Sequence, residues 1–587
     1  MTRLFNDPAA FADEMINGFV AANRLQVRRV PGGVVRSTRS AGGSVAVVIG
    51  GGSGHYPAFG GLVGQGLAHG AAMGNLFASP SAQQVYSVAT SANNGGGVLL
   101  GYGNYAGDVL HFTQAQDRLR AEGVDCRTVA VTDDVASAPL AEKAKRRGIA
   151  GDLTVFKAAA AAAEAGYSMD EVERVAIHAN ERTRSFGVAF SGCTLPGAET
   201  PLFTVPEGRM TVGMGIHGEP GIRETDVPTA DELAQLLVST LLGELPAGIG
   251  QARGQRVGVI LNGLGSVKYE ELFVVYGRVA ALLAEAGLEI IDPEVGELVT
   301  SFDMAGASLT LFWLDDEFEG FWRAPADTPA YRKGSRNAAE QLNASDYHDS
   351  VETVAAIVRG SVDSQSAALR AMAAVDALLA VIEENADELG RIDAVAGDGD
   401  HGIGMQRGAR AAAAAGHAAL DAGAGVQTLL EAAADAWADR AGGTSGALWG
   451  VMLRALAAEI GNTDAPTAQT LSAGVTAAKD GIMSFGKAEV GDKTMVDAIV
   501  PFSDVLAREV ASGTGLTAAL VVAADAATAA AIATSDLLPR MGRARPHAEK
   551  SLGTPDAGAH SFALIVQAIA ALCDAEKICA AEERENS

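Results

Sequence analysis

The sequence predicts an α/β amino-terminal domain joined to an all-helical carboxy-terminal one, and three observations carry this. In the first part of the chain, short β-rich runs alternate with alanine-rich helical runs, which is the pattern of α/β layers. Several β-rich runs end in glycine clusters, and in open α/β sheets ligands gather at the loops leaving strand carboxyl ends. From about residue 349 strands nearly vanish, and Leu, Val and Ala recur at helical spacing.

Each element has its own signal. Residues 44–49 (SVAVVI) read as a buried strand that runs into a glycine cluster, and residues 98–100 repeat the pattern ahead of GYGNYAG. A third strand at 127–131 ends at Thr132, Asp133 and Asp134. Residues 157–165 are strong helix formers closed by Gly166. Residues 256–261 (RVGVIL) and 308–313 (SLTLFW) are further strands. Pro, Ser, Asn and charge crowd residues 323–347, which read as a linker. Beyond it, 367–384, 429–441, 448–460 and 518–533 are helical. The expected organisation is an α/β domain of two subdomains at 1–330, a linker at 331–350 and a helical domain at 351–580.

At 587 residues the chain exceeds one hydrophobic core, and 48% hydrophobic with 20% charged residues is the balance of a folded protein. A formal net charge of -27 argues against nucleic acid or an anionic membrane as partner. A phosphorylated ligand on so acidic a protein needs local positive charge, which a metal ion supplies. Cys126, Cys193, Cys573 and Cys579 form neither CxxC pairs nor Cys/His clusters, so zinc and a disulfide framework are not indicated. The start, MTRLFNDPAAFADEM, lacks the apolar run of a signal peptide, and residues 518–533 are interrupted by Asp525 and short for a membrane span. The expectation is a cytoplasmic protein.

Two motifs mislead. GIMSFGK at 481–487 comes close to a P-loop, but Ala488 stands where Ser or Thr should hold magnesium, and no buried strand precedes it. GYGNYA at 101–106 has dinucleotide-fingerprint spacing, with Asp133 and Asp134 as conceivable ribose ligands; Asp108 at the loop's exit would face the cofactor's phosphates. A stronger signal is the aspartate trio Asp393, Asp398 and Asp400 in RIDAVAGDGDHG. Hard cations take carboxylate oxygens, and three carboxylates this close repel one another unless a cation sits between them. A polar loop with Asx turns is the plain alternative. GGTSG at 442–446 precedes a helix, whose amino end suits a phosphate. Arg543 supplies scarce positive charge in a late loop. In the first domain His55, Asp108 and His217 sit in glycine-rich loops, where backbone approaches a small ligand closely. His and Asp together suit removal of a hydroxyl proton, and a neutral imidazole is a nucleophile toward a carbonyl carbon. A structural role is the usual lot of a lone histidine.

Taken together, GGGSGH, NYAGD, GMGIHGEPG, TSFDMAGASLT, GDGDHG, GGTSG, GDKTMVDA and GRA, in that order, resemble the dihydroxyacetone kinase family in its single-chain, ATP-using form. The resemblance covers nearly the whole chain. It implies that His217 attacks the ketone carbon and holds the sugar as a covalent hemiaminal, which selects ketones over polyols. His55 and Asp108 would contact the hydroxyl and assist its deprotonation, with Gly52, Ser53 and Gly54 lining the pocket. Asp393, Asp398 and Asp400 would hold two Mg²⁺ ions bridging the ATP phosphates. His401, Gly402, Ile403, Gly404, Thr444 and Ser445 would contact the phosphates. Gly486, Met495, Arg543, Asp556, Ala557 and Gly558 would complete the nucleotide site. The helical domain would be a barrel that admits lipid in its cavity, and the assembly a homodimer.

The sequence departs from the family pattern where it matters. Gly103 precedes AsnTyr where dihydroxyacetone-specific members have Lys, and Tyr56 stands for the usual Glu after the first histidine. The missing lysine removes a donor to the sugar and opens space, so a four-carbon erythrulose stands beside dihydroxyacetone as substrate. The alternatives are a cyclising lyase acting on FAD (an FAD-AMP lyase) and a non-enzymatic ketose-sensing regulator. Retention of the three aspartates and Arg543 speaks against the sensor.

Overall fold

The structure is a computed structural model that describes residues 4–219, 221–337, 339–346, 357–395, 397, 399–541 and 549–585. The chain divides into two compact units, Met1–Glu352 and Thr353–Ser587.

The first unit holds two six-stranded sheets. The first contains β1 (Val27–Val30), β2 (Gly33–Arg36), β3 (Ala46–Ser53), β4 (Gly70–Leu76), β5 (Val98–Gly103) and β6 (Cys126–Val131), in the order β1-β2-β4-β3-β5-β6. The β4-β3-β5-β6 block is parallel, and β1-β2 adds an antiparallel edge. Parallel strands need coverage on both faces, which explains their unbroken apolar runs. Helices α1 (Phe11–Ala22), α2 (Ala82–Ala92), α3 (Ala106–Ala121), α4 (Asp152–Glu164) and α5 (Met169–Glu181) accompany this sheet. α2 starts on a capping box in which the Ser81 hydroxyl accepts the Gln84 N–H and the Gln84 side chain accepts the Ser81 N–H.

The second sheet contains β7 (Thr183–Ala189), β8 (Arg209–Val212), β9 (Arg223–Asp226), β10 (Arg256–Gly263), β11 (Glu289–Gly296) and β12 (Gly306–Leu314), in the order β11-β10-β12-β7-β8-β9. Only β10-β11 is parallel. Leu233, Leu237 and Leu241 of α6 (Ala230–Leu242) and Leu272, Val279 and Leu283 of α7 (Tyr269–Glu285) share one core with Val257, Leu309 and Trp313 of this sheet. Helix α8 (Asp316–Arg323) buries Phe318, Phe321 and Trp322.

The strand expectations hold, with β3 running on through the glycines to Ser53. The segment expected as linker is different. Residues Ala326–Asp327 and Arg332–Lys333 pair as a two-stranded ribbon, and Tyr331 is buried. Farther on, Thr38 bridges Gln341, and Arg39 forms ion pairs with Glu340 and Asp346. Polar composition hid this fold-back, because its contacts are hydrogen bonds and ion pairs rather than an apolar periodicity.

The described part of the second unit is helical: α9 (Val362–Asp393), α10 (His401–Asp421), α11 (Val426–Ala441), α12 (Gly443–Ile460), α13 (Ala468–Gly486), α14 (Val496–Ala511), α15 (Leu516–Ala533) and α16 (Ala557–Glu585). Small residues let these helices approach closely; Gly408 of α10 has room for no Cβ against the Trp437 ring of α11. Three segments, Val362–Asp393, Leu516–Asp536 and Ala557–Asp574, are long and apolar enough to cross a membrane by length and composition. The length argument made for 518–533 therefore fails, because the apolar stretch extends at both ends. Ala519, Ala523, Ala527 and Ala531 are nonetheless buried within the helical core.

Candidate active site

Two constellations emerge, one in each unit. In the first, the parallel block delivers its loops to one edge. His55 follows β3, Phe77 and Ser79 follow β4, and Tyr105 and Asp108 follow β5. His217 arrives from the loop after β8, and Thr300 from the segment before β12. The loops pack so tightly that a Cβ on Gly52 would overlap Ala78 N at 2.8 Å, and Gly54 adopts φ +105°, which favours glycine. A small pocket beside this turn is lined by Gly52, Ser53, Gly54, Tyr56, Phe59 and Met73.

His55 and His217 meet directly, with Nε2 to Nε2 at 3.0 Å. Their other nitrogens constrain the tautomers. His55 Nδ1 lies 2.8 Å from the Thr300 carbonyl oxygen, which only accepts, so Nδ1 carries a proton. His217 Nδ1 lies 3.2 Å from Glu219 Oε1, again an acceptor. With a proton on each Nδ1, two neutral rings would face each other lone pair to lone pair, and a proton on one Nε2 would join them. Glu219 provides the balancing charge and accepts the His217 backbone N–H at 3.0 Å through Oε2. Behind it Arg147 lies 3.8 Å from Glu219 and 2.7 Å from Asp134. Burial alone would pull Arg147 down, but Asp134 and Glu219 raise its pKa and keep it charged. Phe77 stacks on His55 at 5.0 Å, and Tyr105 meets His217 edge-on at 4.4 Å. Ser79 Oγ donates to Asp108 Oδ2 at 2.9 Å, which places Asp108 against the same loop as Phe77.

In the second unit, His401 opens α10 and is buried. His401 Nε2 lies 2.9 Å from Ser561 Oγ and Nδ1 lies 3.2 Å from Ser445 Oγ. Burial lowers its pKa, with Asp393 acting in the other direction. Gly402, Ile403 and Gly404 continue the first turn of α10, and Thr444 and Ser445 lie in the first turn of α12, which starts earlier than expected, at Gly443. Gly558 would meet Met495 Cβ at 3.4 Å if it carried a Cβ, so Met495 and the turn at Asp556, Ala557 and Gly558 adjoin. Gly486 ends α13 against Leu448. The whole of GIMSFGK except its lysine is helical, which removes the P-loop.

Asp400 is pushed up to about 7 by burial and by Asp393, and Asp556 likewise to about 7 by burial, with Asp393 and Asp497 adding to it. Carboxylates that disfavour one another's charge fit a hard divalent cation. Among the described residues no three His, Cys, Asp or Glu side chains form a complete metal cluster. Magnesium commonly takes one or two carboxylates and completes its shell with water and phosphate. Asp398 and Arg543 lie outside the described residues.

Sequence reasoning overlooked Glu219, although it stands two residues after His217 in a motif already quoted, and Thr300, which opens another. It also passed over Lys493 in GDKTMVDA, whose Nζ donates to the Ser551 carbonyl at 2.7 Å. Tyr105 stands in the quoted NYAGD motif but was not singled out, and Ser79 and Arg147 lie outside every quoted motif. Asp133, considered as a ribose ligand, instead accepts the Ile149 and Gly151 N–H groups at 2.9 and 2.8 Å, and Asp134 serves Arg147.

Comparison with known proteins identifies the two units. Residues 17–330 match the Dak1 domain and residues 395–571 the DAK2 domain. The chain is 62% identical to the L-erythrulose kinase of Pectobacterium atrosepticum, over 98% of this chain and 97% of that protein. It is 55% identical to the D-erythrulose kinase of Mycolicibacterium smegmatis, over 97% and 98%. The crystal structure of the dihydroxyacetone kinase from C. freundii in complex with AMP-PNP and Mg²⁺ superposes with a TM-score of 0.51 at 29% identity, over 97% of this chain and 99% of that one. The α/β unit with its paired histidines and the helical unit with its aspartates are thus two parts of one known architecture, and the chain belongs to the dihydroxyacetone kinase family.

Proposed function

We propose that the chain phosphorylates a hydroxyl of a four-carbon erythrulose, using ATP and Mg²⁺, with the sugar held covalently on His217. The observation that carries this reading is the His55–His217–Glu219 arrangement. As the ketone arrives, the shared proton stays on His55 Nε2 and the His217 Nε2 lone pair is freed. That lone pair bonds to the ketone carbon, the C=O π electrons move to oxygen, and His55 delivers its proton there. The product is a hemiaminal on an imidazolium ring whose positive charge is balanced by the Glu219 carboxylate accepting its Nδ1–H; it becomes neutral if that proton passes to Glu219. His55, now neutral at Nε2, and Asp108 are the acceptors for the hydroxyl proton lost on phosphorylation. A polyol has no carbonyl carbon and is refused.

ATP supplies the phosphoryl group, and Mg²⁺ neutralises phosphate charge when bound. We assign Asp393, Asp398 and Asp400 to two Mg²⁺ ions. His401, Gly402, Ile403, Gly404, Thr444 and Ser445 take the phosphates, and Gly486, Met495, Arg543, Asp556, Ala557 and Gly558 surround the nucleotide. Residues 1–330 act as the ketose domain and 351–580 as the nucleotide domain of a cytoplasmic homodimer. Erythrulose is favoured over dihydroxyacetone because Gly103 stands where a lysine would add a donor to the sugar, in a place where even a Cβ would come within 3.1 Å of Tyr105 and 3.4 Å of Asp152, and because both erythrulose kinases above share more than half of their residues with this chain.

The test is coupled ADP release with both erythrulose enantiomers, dihydroxyacetone and glycerol, beside His217→Ala. Turnover of an erythrulose, none of glycerol and loss in the variant are expected. A hundredfold preference for dihydroxyacetone would sink the erythrulose assignment, and full activity of His217→Ala would sink the covalent anchor.

A further inference from the structure

The GDKTMVDA motif, residues 491–498, closes the connection between α13 and α14. Asp497, in the first turn of α14, braces it by accepting the Gly491 N–H at Oδ1 (2.5 Å) and the Thr494 N–H at Oδ2 (2.8 Å). Lys493 sits inside this brace at φ +59°, a left-handed conformation that a side chain disfavours. A turn alone would be served by glycine, as Gly491 serves it at φ +97°. A lysine held there against its backbone preference points to work done by its side chain.

The ammonium group shows what that work is. Lys493 is 6% exposed, and its Nζ donates to the Ser551 carbonyl at 2.7 Å, the Ser551 hydroxyl at 3.1 Å and the Leu537 carbonyl at 3.2 Å. An ammonium has three N–H donors, so all of them are spent on the protein. None is left for a phosphate, which sets this residue apart from the lysine that cradles phosphate in a P-loop. Its effect passes instead through the two segments that it joins.

Both segments lead to the nucleotide residues. Leu537 follows the turn Thr534–Asp536, and Ser551 precedes Asp556. The Thr534 hydroxyl accepts the Asp556 N–H at 2.8 Å, and the Ser535 carbonyl accepts the Gly553 N–H at 3.0 Å, so the segments are also tied to each other. The Asp492 carbonyl adds a second tie from the motif by accepting the Arg540 N–H at 3.1 Å. Asp556 Oδ1 accepts the Ala559 N–H at 2.7 Å and so fixes the start of α16. In the next turn of that helix Ser561 Oγ lies 2.9 Å from His401 Nε2. Without the ammonium, both segments would lose their shared anchor, and the turn that sets Asp556 and Gly558 would loosen.

We propose that Lys493 is a positioning residue for the nucleotide: it clamps the Leu537 and Ser551 segments together and thereby holds Asp556, Gly558 and His401 in the arrangement that receives it, without touching the nucleotide itself. The inference rests on the nucleotide assignment made under the proposed function.

The experiment is calorimetric titration of the full chain with ADP and Mg²⁺, beside steady-state kinetics and thermal melts. Lys493→Met should weaken ADP binding and raise the KM for ATP at least about tenfold, with the KM for erythrulose within about twofold of the parent. Ser551→Ala, which leaves both carbonyl acceptors in place, should weaken ADP binding about threefold, and in the double variant the two losses should not add. A lysine with a purely structural role would lower the melting temperature and leave the ADP affinity of the folded variant unchanged, which overturns the proposal. If Lys493→Met loses its thermal transition, Ser551→Ala decides alone, and binding as tight as the parent's overturns it. A parent that binds no ADP, or Ser445→Ala that binds it as tightly as the parent, brings down the nucleotide assignment and the clamp together. Weakening in Ser445→Ala with parental affinity in Lys493→Met brings down the clamp alone.

Discussion

Glu219→Gln tests the paired-histidine reading most directly, because it changes one atom of a side chain that is 6% exposed. The carboxylate accepts two N–H groups at once, His217 Nδ1–H at Oε1 (3.2 Å) and the His217 backbone N–H at Oε2 (3.0 Å). A glutamine has one oxygen and one NH₂, so it can satisfy only one of the two donors and must turn a donor toward the other. It also removes the charge that balances the shared proton. Losing a hydrogen bond to a charged group costs about 1.5–3 kcal/mol. At about 1.4 kcal/mol per decade this becomes a loss of roughly tenfold to a hundredfold in ketose kcat/KM. The KM for ATP should not move, since Glu219 belongs to the ketose site. Steady-state kinetics with erythrulose as varied substrate, alongside a thermal melt to show that the isosteric variant folds, is the assay. Ketose kcat/KM within twofold of the parent in a folded variant would refute the assignment of Glu219 as the orienting group of His217.

Other expectations follow from the same structure. Lys157 is buried in α4, with Nζ donating to the Phe321 carbonyl at 2.9 Å, and burial together with Lys333 and Arg336 lowers its pKa to about 7. Between about 7 and the unfolded value of 10.5 the unfolded chain binds the extra proton, so stability rises with pH across that window by up to about 5 kcal/mol. Lys157→Met should flatten this rise and stabilise the protein at pH 6.5; urea melts at pH 6.5 and 9.5 that keep the parent's difference would contradict it. Asp400→Asn relieves a buried like charge and should raise the melting temperature in chelator while raising the Mg²⁺ needed for half-maximal turnover about tenfold or more. Magnesium titrations that overlay the parent's would remove Asp400 from the metal site. Gly103→Lys sets a side chain against the Tyr105 ring and the buried Asp152, where a Cβ already comes within 3.1 and 3.4 Å. Erythrulose kcat/KM should fall about tenfold or more relative to dihydroxyacetone, a ratio read from parallel kinetics; an unchanged ratio excludes position 103 from substrate choice.

Much of this architecture could be read from the chain, and the parts that could not share a physical reason. β3, β5, β6, β10 and β12 announced themselves because strands covered on both faces must be apolar along their length. β8 and β9 did not: Arg223–Asp226 is a short, charged, exposed edge strand, the form that edges take to avoid pairing with other chains. The meeting of His55 and His217 was legible because polar groups set among glycines leave a local signature. Arg147 was not, since it acts through partners far away in sequence, Asp134 and Glu219. The fold-back of residues 326–346 was invisible for a third reason: polar contacts have no periodicity to detect.

The hydrogen bond between the two imidazoles has a consequence for the resting enzyme. On the proposed mechanism, the His217 lone pair that would attack a carbonyl is engaged by a proton between the rings until a ketose arrives, so the nucleophile would be masked against stray aldehydes and released by a ligand that parts the rings. A proton enclosed between two buried nitrogens 3.0 Å apart is expected to exchange slowly and to resonate far downfield, which a proton NMR spectrum of the ligand-free protein would check. Such a signal would serve the site as an intrinsic reporter, expected to disappear as the sugar takes the proton's place.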